Sequence, residues 1–244
     1  RGTYDFGDSL SYVQWERTFN QRLLEGLAGS GEGAINTAES ATSRLDNLTA
    51  KSEWNLPIES ELEQKLTLGA EFRGEWMEDS ASLRQGTNVS AGGSSTPVII
   101  PGVEVDGADR DPKADAWMVG LYVEDNILVT DDLTLTPGLR FDYHDSFGAN
   151  WSPSLNASYD VTDEVMVKAG IARAFKAPNL YQLNPNYVYY TMGNGCPVDY
   201  TNGITGGNGC FVLGNPDLEP ETSINKEIGI SYNNDAGWNA GLTY

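Results

Sequence analysis

Histidine, cysteine and basic side chains are scarce in this chain, and it has no long apolar run. One histidine and two cysteines stand among 244 residues. That is too few for a zinc site, which takes four ligands and usually pairs its cysteines as C-x-x-C. Fifteen Lys and Arg against 35 Asp and Glu leave a formal net charge of −20. Nucleic acid is thereby excluded as a partner, because phosphate binding needs a basic surface. Docking on anionic cytoplasmic lipid is disfavoured on the same ground. No stretch approaches the roughly 20 apolar residues of a membrane helix. Membrane strands escape that test, since only every second side chain meets lipid. A mean hydropathy of −0.39 therefore suits a large barrel as well as a secreted β-sandwich.

What the chain does have is alternation. Leu62, Leu66, Leu68, Ala70, Phe72 and Trp76 share one face of an extended segment, and Glu63, Lys65, Thr67, Glu71, Arg73 and Glu75 share the other. A helix would scatter both sets. The pattern recurs at Leu133–His144, Trp151–Tyr159, Val165–Ile171 and Trp238–Tyr244, and a further strand follows Thr222. Less regular strands are expected near Ser9–Asn20, Thr42–Leu56 and Lys113–Val129, nine in all. Turns near Pro57–Ser60, Asp131–Asp132, Asp160–Asp163 and Asn233–Gly237 are short. The links between them, at Gln21–Ala41, Glu78–Pro112 and Ala177–Glu221, are long, and one at Asp145–Asn150 is shorter. Short turns at one end and long loops at the other describe an up-and-down membrane barrel; a Greek-key sandwich has no reason to keep that parity. The expected fold is all-β, an antiparallel transmembrane β-barrel present in part.

Three segments narrow this further. Gly214–Ser223 reads GNPDLEPETS and releases into Ile224-Asn225-Lys226-Glu227-Ile228-Gly229; Ala172–Tyr187 reads ARAFKAPNLYQLNPNY; Leu23–Gly33 reads LLEGLAGSGEG. Pro216 and Pro220 pin the first of these as a turn. Together they resemble the TonB-dependent outer-membrane receptors, and within them the ferric-enterobactin, catecholate-siderophore branch. The resemblance implies a bacterial outer-membrane receptor that imports a ferric catecholate with TonB-coupled energy, in a barrel of about 22 strands. Nine strands cannot close such a wall. Residues 1–244 are thus expected to be the central part of the barrel domain, with the plug and the TonB box outside the chain. Implied partners are the ferric siderophore, TonB–ExbB–ExbD through the N-terminal region, outer-membrane lipid, and colicins or phage at the loops. The alternative reading is a passive porin-like, structural or adhesive barrel.

No enzyme is expected. His144 lies on the polar side of its strand and no Ser or Cys nucleophile motif accompanies it. No cofactor is expected either, with iron entering only inside the siderophore. The acidic run Asp106–Pro112 lacks the ligand order of a calcium loop and reads as a solvated segment. Cys196 and Cys210 close a Gly- and Asn-rich loop, which suggests a disulfide formed in an oxidising compartment. The longer loop after Pro178 holds Tyr181, Tyr187, Tyr189, Tyr190, Tyr200 and Phe211 but no Lys or Arg between Lys176 and Lys226. Catechol rings stack on such side chains. The candidate ligand-binding residues are Tyr181, Gln182, Tyr187, Tyr189 and Tyr190, with positive charge from Arg84, Arg110 and Lys176.

Overall fold

In a computed structural model of the chain, nine strands form one antiparallel sheet in which each neighbours the next along the sequence. They are β1 (Asp5–Asn20), β2 (Ser40–Glu59), β3 (Glu63–Asp79), β6 (Lys113–Thr130), β7 (Leu133–His144), β8 (Gly148–Thr162), β9 (Val165–Lys176), β12 (Glu221–Asn233) and β13 (Asn239–Thr243). Two short ribbons stand apart: β4 (Asn88–Ala91) with β5 (Ser94–Pro97), and β10 (Val188–Tyr190) with β11 (Phe211–Leu213). A single helical turn, α1 (Leu180–Leu183), precedes β10. The structure describes residues 5–20, 40–79, 88–91, 94–97, 99–100, 102–104, 109–190 and 210–244. Among these, no helix is long and apolar enough to cross a membrane.

The nine expected strands are all present, and the sheet is unclosed, with β1 and β13 at its edges. Most boundaries shift by a few residues, and at one hairpin the shift changes the reading. Pro57 lies inside β2 opposite Lys65, and the turn falls at Ser60–Leu62, so Leu62 belongs to the turn and not to β3. Pro57 is tolerated because it sits at the strand's end, where a missing N–H interrupts little. The long links also hold more order than their composition suggested: both ribbons and α1 lie within them.

Register places two kinds of row across the wall. One runs Trp54–Leu68–Val123–Leu139–Pro153, and another Ala50–Phe72–Val119–Tyr143. The opposite face carries Lys51–Glu71–Gly120–Asp142–Asn150 and Glu53–Gly69–Tyr122–Arg140–Ser152. Burial inverts the usual order. Asp142 is 0% exposed and Glu71 9%, whereas Leu155 is 46% and Trp151 54%. A one-layer sheet buries side chains only where they converge on its concave side, so the charged face is the inside of the wall. The apolar face points outward, as a lipid-facing surface must. Three residues, Met77, Ala116 and Leu180, make the one buried apolar cluster described, and none of the strand pattern residues Leu66, Leu68 or Phe72 is in it.

The most buried charges on the inside, Glu71 and Asp142, are paired, since an unpartnered buried ion is costly. Lys51 Nζ lies 2.9 Å from Glu53, Arg73 Nε 2.5 Å from Glu71, and Arg140 Nη2 reaches Glu71 at 3.1 Å and Asp142 at 2.7 Å. The Tyr122 hydroxyl donates to Glu53 at 2.5 Å. Its ring lies over Gly69, where an added Cβ would come within 2.0 Å of the ring. Lys51, Glu53, Glu71, Tyr122 and Arg140 line an open recess of ≈ 360 Å³. On the outer face, Asp46 opposite Trp76 is taken up by the Tyr12 hydroxyl at 2.6 Å and Arg44 Nε at 2.8 Å.

The two proline interruptions have a simple cause. Pro137 and Pro153 lack the N–H that would bond the next strand. The β6–β7 ladder accordingly skips from Glu124–Gly138 to Ile127–Leu135, and the β8–β9 ladder begins only at Ser154–Ala172.

The two faces should respond differently to charge. Leu155→Arg, outward at mid-strand, is expected to destabilise the barrel in lipid by about 2–4 kcal/mol, while Ser158→Arg, inward, is expected to be nearly neutral. Denaturant titration of the heat-modifiable folded band in vesicles measures both, and equal cost would refute the facing.

Candidate functional site

At the end of the sheet that carries the long loops, the inner face turns apolar. Along β3 the inward positions run Gly69, Glu71, Arg73, Glu75, Met77, Asp79. Met77 packs with Ala116 of β6 and receives Leu180, which is 4% exposed. Leu45 and Ala114 border the cluster, and so does Tyr181. The helical turn α1 is thereby seated on the inside of the wall. Its start is set by a capping box: the Asn179 side chain accepts from Gln182 N at 2.9 Å, and Gln182 Oε1 accepts from Asn179 N at 2.9 Å. Such reciprocal bonds satisfy two otherwise orphaned donors.

Two loops meet here. The Tyr181 hydroxyl donates to Asp79 Oδ2 at 2.5 Å, and Asp79, 1% exposed, donates its own N–H to Pro112 O at 2.8 Å. Arg110 donates from Nε to Glu104 O at 3.1 Å and from Nη1 to Asn186 O at 3.4 Å. The 80–112 and 177–220 links are thus stitched to one another and to the end of β3. The Tyr187 ring stands 5.3 Å from that of Tyr181 at 58°, a tilted aromatic pair.

The GNPDLEPETS turn completes the arrangement from the other side. Gly214 N–H donates to Tyr187 O at 3.0 Å, and Asn215 N–H to Gln182 O at 2.6 Å. Asn215 Oδ1 then accepts from Asp217 N at 3.0 Å, and Leu218 N–H donates to Asn215 O at 3.2 Å, which makes the turn that delivers the chain to β12. Only glycine fits at 214, because a Cβ there would lie 1.8 Å from Asn184 O. Two of the segments singled out in the sequence are therefore halves of one clasp: 179–187 on the wall, 214–218 across it.

Tyr181, Gln182 and Tyr187 are brought together in this clasp, while Tyr189 and Tyr190 run on into β10, opposite Val212 and Phe211. Lys176 is 75% exposed at the end of β9, 3.8 Å from Glu221. Arg110 departs from expectation. It is 4% exposed, so its guanidinium serves as a tie between loops and is not presented to solvent; loops have no periodicity from which its direction could be read. Gln182 is committed to its capping box. Arg84 and Cys196 lie outside the described residues. Cys210 precedes β11, half-buried, and is not a free thiol. Sequence reasoning gave no site role to Asp79, nor to Leu180, Asn184 and Gly214 within the segments it quoted. Of these, Asp79 carried a faint signal, as a carboxylate at an inward position directly after Met77.

His144 is inward and 5% exposed, stacked on Phe147 at 4.4 Å, with Nδ1 accepting from Ser146 N at 3.2 Å. No nucleophile joins it among the described residues. Nor do three His, Cys, Asp or Glu side chains gather there in a way that could hold a metal.

Comparison with known proteins bears on the whole chain. Residues 1–244 match the family described as TonB dependent receptor-like, beta-barrel. The chain is 51% identical over 244 residues to the ferric enterobactin receptor PirA of Pseudomonas aeruginosa, covering 100% of this chain and 31% of that protein. It is 44% identical over 247 residues to the ferrienterobactin receptor of Escherichia coli K12, again covering 100% and 31%. Among solved structures it is similar to a variant of the ferric enterobactin receptor of P. aeruginosa in complex with enterobactin. That similarity has a TM-score of 0.79 and 41% identity, and covers 97% of this chain and 31% of that one. The chain spans about a third of the length of the curated relatives it matches.

If the clasp holds the aromatic segment, Gly214→Ala should loosen it by about 2 kcal/mol or more without disturbing the barrel. Limited proteolysis of the folded receptor should then cut within 177–220 many times faster, with the heat-modifiable band unchanged. Equal cutting rates would dismiss the clasp.

Proposed function

The chain belongs to the TonB-dependent receptor β-barrel family, and we propose that the protein carrying it is an outer-membrane receptor that binds and imports a ferric catecholate siderophore of the enterobactin type. The observation that carries this reading is the aromatic arm fastened to the inner wall at the wide-looped end. Tyr181 and Tyr187 are held as a pair there, and Tyr189 and Tyr190 follow directly on. Relatives that match over the whole chain are named for ferric enterobactin. Three catechol rings around iron offer flat faces to tyrosines, and the anionic complex finds positive charge in Lys176 and Arg84. Arg110 contributes by fixing the loops.

Iron is cargo in this scheme and the receptor is not an enzyme. Transport is a cycle of capture and release, which requires two states that differ in affinity. Energy enters from TonB, ExbB and ExbD through the part of the protein outside this chain. The paired charges of the inner wall, Lys51–Glu53 and Glu71–Arg140–Asp142, hold the passage polar and wet. A bridge between Cys196 and Cys210 braces the outer end of the aromatic arm.

Two measurements test this. Replacing Tyr187, Tyr189 and Tyr190 together by Ala in the intact receptor should weaken ferric enterobactin binding by about 10- to 1,000-fold, at about 0.5–1.5 kcal/mol per aromatic contact. Fluorescence quenching reads the affinity, and an unchanged value removes the stacking role; no binding by the unaltered receptor would leave a passive barrel. Thiol alkylation without reductant should label neither cysteine, and stoichiometric labelling would refute the bridge.

A further inference from the structure

A cavity of ≈ 200 Å³ lies beneath the root of the aromatic arm, between the inner wall and the segment 177–179. Arg73 and Glu75 of β3, His144 of β7, and Pro178 and Asn179 of the arm line it. His144 is the single histidine of the chain. It is the last residue of β7, one past the outward Tyr143, and its buried ring faces the lumen. A stack of three rings joins it to the arm. His144 lies flat on Phe147, with centroids 4.4 Å apart and planes at 11°. Phe147 meets Phe175 edge-on at 6.0 Å, and Phe175 stands two residues before Ala177, where the arm leaves the wall. The hairpin turn that carries Phe147 is closed by Gly148 at φ 77°, a left-handed geometry that favours glycine. Asp145 N–H ties the same turn to Trp117 O at 3.1 Å.

The hydrogen bonding of the ring has two states. Nδ1 accepts from Ser146 N at 3.2 Å and so carries no proton. Asp145 Oδ1 lies 3.0 Å from the same Nδ1, and two acceptors at that distance repel. A proton on Nδ1 reverses both contacts: the Ser146 N–H loses its acceptor, and Asp145 gains a donor. Against Phe147 and under the arm, the charged ring would also be desolvated. The cavity gives it another place, because Glu75 stands across it. The other charges around the ring are already engaged or in solvent. Arg73 is bonded to Glu71, Asp142 to Arg140 and Arg173 to Asn150, and Lys176 is exposed beside Glu221. The inward positions of β6 and β8 beside His144 hold Ala116, Met118, Gly148 and Asn150, none of them charged.

We propose that His144 is an acid-released latch on the aromatic arm. Neutral, it stacks on Phe147 and keeps Phe175 and the root of the arm against the wall. Protonated, it turns into the cavity toward Glu75, Phe147 loses its support, and the root comes free. A histidine that takes up its proton only on opening stabilises the closed arm above the ordinary imidazole range, about pH 6.5, and that stability is lost as pH falls below it. The latch rests on the fold and the ring contacts. Its use rests on the siderophore reading: catechol oxygens hold iron only when deprotonated, and an arm held only near neutral pH captures where the complex is whole.

The test is limited proteolysis of the intact receptor in detergent at about pH 7.5 and about pH 5.5, each rate divided by that of an unfolded substrate at the same pH. Cleavage within 177–220 should rise about tenfold in acid, the factor for one proton taken up across that range. His144→Phe keeps the stack and cannot take up a proton, and its cleavage should not respond to pH. His144→Gln, whose side-chain carbonyl can accept from Ser146 N, takes its place if the phenylalanine variant loses the heat-modifiable band. No rise in the unaltered receptor, or an equal rise in the variant, overturns the latch. Ferric enterobactin affinity on the same samples should be equal at the higher pH and favour the variant by up to about tenfold at the lower. A receptor that binds no ferric enterobactin at either pH loses the proposed function, while the cleavage ratio still decides the latch.

Discussion

One constraint governs this molecule: backbone N–H and C=O groups that face lipid have no water to bond and must pair across strands. Once the chain meets that demand with a ladder, its side chains are forced to opposite faces in turn. The outward set is apolar and the inward set polar, and a one-residue slip would exchange them. Within the strands the ladder opens where proline removes a donor, and near the short turns it shifts register at Leu128–Thr130 and Asp160–Thr162. At Pro153 a side chain, Arg173, takes up the released carbonyl of Trp151. Paired charge on the inside is the complement of the same rule, since converging inward side chains bury one another. Glu71 and Asp142 are nearly inaccessible although the sheet is one layer thick.

Function is built where the alternation ends. Above the charged rows, Met77 and Ala116 give the inner wall an apolar foothold, and Leu180 uses it to seat a helical turn. Everything attached to that turn is then positioned by a small number of bonds. Tyr181 is held by Asp79, Asn186 by Arg110, and the carbonyls of Gln182 and Tyr187 by Asn215 and Gly214. The turn that most resembles the receptor family is thus explained by contact with the other resembling segment, 172–187. A glycine that must approach Asn184 O so closely cannot be replaced without moving one half of the clasp.

The strands were legible because each carries a period-2 pattern long enough to exclude a helix. Leu133–His144 reads without ambiguity, and so does Lys65–Trp76. Boundaries shifted where proline or a lone hydrophobe misled. Pro57 looked like a turn and is strand; Leu62 continued the apolar alternation and is turn. The ribbons and α1 went unread because three- and four-residue elements leave no periodicity, and α1 is held by its capping box and by Leu180 rather than by helix propensity.

Sequence by itself determined which residues face lipid and which face water, the parity of long and short connections, and the receptor family, since these follow from side-chain order along single strands. Only the tertiary structure decided what the loops do. Arg110, a plausible anion receptor from its place beside a loop, is turned inward as a tie; Asp79, unremarked, receives the Tyr181 hydroxyl. His144 and Pro178 come to line one cavity only because the arm is seated on the inner wall beside the end of β7. Contacts of this kind depend on which strands pair and where loops close, and neither is encoded in the local alternation of any one segment.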